Sequence, residues 1–170
     1  MPGDWSEAGA LFLRLAAATL AGGVLGLNRD LHDKPAGLRT HALVSLGAAL
    51  VLLVSLRLPG TRSVPDLAAA SRTLQGIITG VGFLGAGVIL HDRVGRRVHG
   101  LTTAATLWIS AGLGIACGAG AWGPVLLSTA LIFAVLVWGG PVEGACHRLL
   151  RRHDARPPES CDPPPPAQNP

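Results

Sequence analysis

The sequence predicts an all-α fold, a polytopic membrane helix bundle with about five transmembrane helices. Three observations predict it. Hydrophobic residues make up 49% of the 170-residue chain and charged residues only 14%, against about a quarter charged in soluble proteins. Apolar runs near the ~20 residues that a spanning helix needs alternate with short polar connections. The basic residues sit in small clusters between those runs, as orientation signals do, and do not pool on one module. The net charge of +4 therefore argues for a bilayer and not for a nucleic-acid partner.

The first apolar run, Ala8–Leu27, follows Asp4 and Glu7 where a cleaved leader has a basic region. It is also longer than a leader's apolar core, so it reads as a retained helix. Ala18, Gly22 and Gly26 recur at every fourth position, the spacing of a close-packing face in lipid. Arg14 lies four residues before Ala18; facing lipid would be costly, so it either snorkels outward or faces protein. The second run spans Thr40–Leu58.

The third run, Thr73–Leu90, carries Gly76, Gly80, Gly82, Gly85 and Gly87 on more than one face, which predicts a helix at the centre of the bundle. Gly80, Gly82 and Gly85 also match GxGxxG, but the dinucleotide fingerprint needs a strand, a turn and a helix N-terminus around it. Here the glycines sit midway through an apolar span, so no cofactor is expected.

The fourth run, Leu101–Cys117, has Thr102, Thr106, Ser110 and Gly114 at every fourth position, continuing to Gly118. This small, polar stripe is expected to pack against the glycine-rich third helix; the alternative is a polar crevice. Trp108, two turns in, is expected inside the bundle. The fifth run, Pro124–Val142, is flanked by Trp122 and Trp138, placed as interfacial anchors. Residues 1–145 thus form the transmembrane domain, and residues 146–170 a basic, Pro-rich, disordered tail.

Loop charge sets the expected orientation. Arg29, Lys34 and Arg39, then Arg93, Arg96 and Arg97, then Arg148, Arg151, Arg152 and Arg156 fall on one side. Only Arg57, Arg62 and Arg72 fall on the other, which puts the N-terminus outside and the C-terminus in the cytoplasm.

Chemistry-bearing constellations are sparse. Cys117, Cys146 and Cys161 form no metal-ligand spacing; Cys117 reads as packing and the other two as free thiols. His91, Asp92 and His99 share a loop, as do His32 and Asp33, without the spacing of a tight zinc site. No catalytic, metal or cofactor site is expected. Candidate site residues are those at the cytoplasmic helix ends: Asn28, Arg29, Arg39, Thr40, His41, Thr102 and Thr103. If those ends converge, guanidinium groups and hydroxyls form an anion or headgroup site.

Three segments carry a family resemblance. Gly26-Leu27-Asn28-Arg29-Asp30 followed by Lys34 through Leu43, then Gln75 through Ile89, then Gly100 through Trp108, are similar in order to signatures of the MgtC/SapB family of bacterial membrane proteins. The resemblance implies a multi-pass inner-membrane protein with a five-helix domain and no enzymatic reaction. It also implies a link to magnesium homeostasis and to stress or virulence adaptation. The role it implies is modulation of a membrane partner, or self-association, in the bilayer; a small ion transporter or channel subunit is the alternative. This chain has Asn28 where the family usually has Glu, so the carboxylate that a cation or proton role would use is missing there. It resembles a short form, without the soluble C-terminal domain that many members append.

Overall fold

The computed structural model describes residues 4–57, 67–90 and 100–153. Five helices are present among them: α1 Asp4–Asp30, α2 Leu38–Ser55, α3 Leu67–Leu90, α4 Leu101–Ala119 and α5 Trp122–His153. All five are long and apolar enough to cross a membrane, as the hydropathy pattern predicts. The His91, Asp92 and His99 loop, residues 58–66 and the Pro-rich segment with Cys161 lie outside the described residues.

The chain forms two compact units, residues 1–133 and 134–170. The second unit's described part is the continuation of α5, which keeps Pro141 inside the helix and exposes Val135, Trp138 and Val142. α5 runs on to His153.

In the first unit α1, α2 and α4 each bury one stripe, because residues three and four apart share a face. On α1 the stripe is Ala18, Gly22, Leu25, Gly26 and Arg29. On α2 it is His41, Ser45, Ala48, Ala49, Leu52 and Leu53. On α4 half the spanning residues are buried, from Thr103 to Gly118. α1 runs antiparallel to α2, since Gly22 meets His41 and Ser45 while Gly26 meets Leu38. α2 runs parallel to α4, since Gly114 meets Ser45 and Gly118 meets Ala49.

These approaches leave no room for a side chain. A Cβ on Gly22 would lie 2.5 Å from the His41 carbonyl oxygen, and one on Gly114 would overlap the Ser45 carbonyl. Glycine on both flanking helices therefore lets their backbones close on the two sides of α2.

The centre of the bundle is thus α2 and not α3. α3 packs on α4 through Gly85, which lies 3.4 Å by its would-be Cβ from Ala104, and buries only about a tenth of its spanning residues. A side chain at Gly76, Gly80, Gly82 or Gly87 would meet open space. Glycine permits close approach but does not compel it; a complementary partner surface does, and α2 supplies it with Ser45, Ala48 and Ala49. Trp108 also departs from expectation: it is 50% exposed. It lies beside the buried stripe of α4 and faces outward, where an apolar ring suits the bilayer.

The connections fix this arrangement. Between α1 and α2 the chain turns through Asp33 and Ala36, both at positive φ, and the Asp30 carboxylate accepts a 2.8 Å hydrogen bond from the Leu38 N–H. That bond satisfies one of the orphan donors at the start of α2. α4 ends at Gly120, whose φ of 75° only glycine adopts without penalty. The Ala121 N–H returns to the Ala116 carbonyl at 2.9 Å, closing the helix in a Schellman-type turn.

Candidate functional site

A column of polar side chains is buried where α1, α2 and α4 meet. It comprises Arg29 from α1, His41 and Ser45 from α2, and Thr103, Thr106 and Ser110 from α4, none more than 6% exposed. Arg29 donates from Nη2 to Thr103 Oγ1 at 2.8 Å. Thr106 Oγ1 donates to the Thr103 carbonyl at 2.9 Å. His41 joins α2 to α4, with Nε2 3.0 Å from Thr106 Oγ1 and Nδ1 2.9 Å from the Gly37 carbonyl.

The protons in this chain are constrained. The Gly37 carbonyl can only accept, so Nδ1 of His41 carries a proton. The Thr106 hydroxyl has one proton to give. When that proton goes to the Thr103 carbonyl, Nε2 must donate to Thr106, and His41 is an imidazolium. When His41 is neutral, the Thr106 proton turns to Nε2. The state of one imidazole therefore sets the direction of a hydroxyl in the neighbouring helix.

The Arg29 charge has no carboxylate within ion-pair distance among the described residues, and its Nε has no hydrogen-bond partner. Its position in the last turn of α1 offsets part of that cost, because the helix dipole places negative charge there. Farther into the membrane the hydroxyls of Ser45 and Ser110 are fully buried and unpartnered.

The structure gathers some of the sequence candidates and separates others. Arg29, Thr103, His41, Thr106, Ser110 and Gly114 share the column or its wall. Thr102 is exposed, and the α4 stripe turns toward α2 and not toward α3. Arg39 and Thr40 are exposed and line a small polar depression with Asp30, Gly37 and Leu38. Arg39 makes no hydrogen bond or ion pair among the described residues. Asn28 is half-buried, with its carbonyl 2.7 Å from His32 Nδ1. Gly76, Gly80, Gly82 and Gly87 lie away from the column.

Ser45 and Asp30 are absent from the sequence candidates. The signal for Ser45 was available, since His41, Ser45 and Ala49 repeat on α2 the four-residue spacing noted on α4. Asp30 carries no such signal; its role depends on the turn that folds α2 back on α1.

The opposite end of the unit holds the other embedded arginine. Arg14 donates from Nη1 to the Gly118 carbonyl at 3.0 Å. It thereby caps the C-terminus of α4, where cations are favoured.

Among the described residues no group of three metal-ligating side chains comes together. The column offers hydroxyls, an imidazole and a guanidinium, with no carboxylate among them.

Comparison with known proteins is consistent in direction. The MgtC family model matches residues 15–145. Protein SrpB of Synechococcus elongatus is 47% identical over 144 residues, 81% of this chain and 76% of that protein. Protein MgtC of Salmonella typhimurium is 46% identical over 120 residues, and Protein MgtC of Brucella abortus 44% over 121. These two alignments cover 71% of this chain but only 48% of either relative, so the chain spans about half their length. No solved structure matches the chain.

Proposed function

Because this chain belongs to the MgtC family, we propose that it is a non-enzymatic bacterial inner-membrane protein that modulates a membrane partner in magnesium homeostasis or stress adaptation. Its N-terminus faces out and its C-terminus the cytoplasm, on the strength of the loop charges. It is a multi-pass membrane protein, and MgtC is not known as an enzyme family. The observation that carries the reading is the closure of the α4 stripe. Gly114 and Gly118 sit against the backbone of α2, and Thr106 is bonded to His41. A stripe closed by backbone contact holds helices together; it does not line an open path for ions. Meanwhile α3 presents most of its surface outward, available to another membrane protein.

Purified protein in sealed liposomes tests this. The expected result is no magnesium or proton flux above protein-free vesicles, together with restored growth in low magnesium when the same preparation's gene is returned to a deletion strain. Flux that Ser110→Ala lowers at unchanged stability would replace the reading with the transporter alternative.

A further inference from the structure

We propose that the groove between α1 and the start of α5 binds one acyl chain of an anionic glycerophospholipid, with its phosphate held at Arg14. The groove has a volume of about 720 Å³ and is walled by Ala17, Leu20 and Ala21 of α1 and by residues of α5 from Trp122 to Phe133. That volume falls within the ~300–1,000 Å³ of ligand pockets. Its lining is apolar except for Thr129, whose hydroxyl is already given to the Val125 carbonyl at 2.7 Å. Nothing in it asks for a polar ligand body.

Length selects the occupant. From Trp122 to Phe133 the wall covers about 16 Å of helix at ~1.5 Å per residue. This is about half of the ~30 Å hydrocarbon thickness, the depth of one leaflet. The groove therefore fits a chain entering from one surface, and is too short for a helix that crosses both leaflets.

Charge selects the headgroup. Arg14 stands one turn before Ala17 on α1, beside the Gly120 turn that leads into Trp122 at one end of the groove. Its guanidinium rests against the turn at Gly120, 3.1 Å from where a Cβ would be. Nη1 is used by the Gly118 carbonyl, while among the described residues Nε and Nη2 have no partner and no carboxylate pairs with the charge. Arg14 as a whole is only half-buried. A phosphate oxygen is the acceptor that a guanidinium with two free donors fits best. Trp122, 40% exposed, sits at the headgroup level as indole rings do.

The test uses Trp122 as the reporter, in the full chain with Trp5→Phe, Trp108→Phe and Trp138→Phe, reconstituted in phosphatidylcholine vesicles. Trace phosphatidylglycerol or phosphatidylcholine, each brominated on its acyl chains, is added as quencher. Phosphatidylglycerol is expected to quench at about fivefold lower mole fraction, the preference that one basic side chain gives near an anionic lipid. Arg14→Gln should remove the preference, and Arg14→Lys should keep most of it. Ala130→Leu, which fills the groove while leaving Arg14 in place, should weaken quenching by both lipids. Equal quenching by the two lipids in the parent protein overturns the proposal. So does a preference that survives Arg14→Gln, or Trp122 cross-linking to a second copy that shields it from both lipids.

Discussion

Two sets of glycines that look alike in the sequence live in opposite surroundings. Gly114 and Gly118 of α4 are pressed against the backbone of α2, whereas Gly76, Gly80 and Gly87 of α3 have open space where a side chain would go. The α3 set is the denser, yet it is the α4 set that builds the core. Burial here follows the pairing of small surfaces. α2 meets both neighbours through small residues, and the glycines that face it become structural. Those of α3 that face away from α4 remain free to serve contacts beyond the chain. The predictions that follow probe this contrast, from the largest effect to the smallest.

Gly114→Leu should have the largest effect. Even a Cβ at this position overlaps the Ser45 carbonyl, and backbone cannot move aside as a flexible side chain can. The cost should reach or exceed the top of the ~1–3 kcal/mol typical of overpacking. Membrane abundance and thermal unfolding in mild detergent would register it. A normally abundant, normally stable variant would show that α2 and α4 are not packed as described.

Next comes Thr103→Val, which keeps the shape of the side chain and removes the acceptor of the Arg29 hydrogen bond. It strands a buried guanidinium that has no carboxylate partner among the described residues. A loss of about 2 kcal/mol is expected, in the range for hydrogen bonds to charged groups. Thr102→Val, its exposed neighbour, is the control and should change stability little. Equal losses from the two variants would mean that the Arg29 bond contributes nothing.

Ser110→Ala should do less, within about 1 kcal/mol; a fall in activity at unchanged stability would instead mark a conducting path. The Ser110 hydroxyl is fully buried without a partner, so deleting it removes an unsatisfied polar group along with a little packing. Ser110→Leu is the opposite case and should destabilise, because α2 closes the space around it. Paired measurement of stability and growth in low magnesium separates a packing role from a conducting one.

Much of this architecture was legible in the sequence, for reasons specific to membranes. A spanning helix must satisfy its backbone internally, so apolar runs such as Leu101–Cys117 announce both their structure and their surroundings. The close-packing residues Ala18, Gly22, Gly26 and Gly114 were visible by spacing, and Arg29, His41 and Thr103 by their place at helix ends. What spacing could not give was the partner of each face. A stripe on one helix is compatible with any neighbour that is also small, so glycine content points α4 toward α3, although α2 carries the matching Ser45 and Ala49. The same limit hid the role of Arg14, whose acceptor, the Gly118 carbonyl, is 104 residues away in the chain.

The smallest effect on stability should come from Gly80→Ala, and its value lies in that smallness. Gly80 is exposed on α3, and nothing lies within 4 Å of an added Cβ. Alanine is the better helix former, and restricting the unfolded chain favours it further. A gain of about 0.5 kcal/mol is expected where Gly114→Leu gives a large loss, which would be the contrast between the two glycine sets in a single pair of measurements. Gly80 also lines, with Gly47 and Gly76, a shallow groove between α2 and α3. Gly80→Ile should therefore fold normally while filling that groove. If growth in low magnesium fails with Gly80→Ile at full abundance, the α3 glycines serve an intermolecular contact, as a partner-modulating role requires. If growth is unchanged, that contact lies on another face, and the outward glycines of α3 have no part in it.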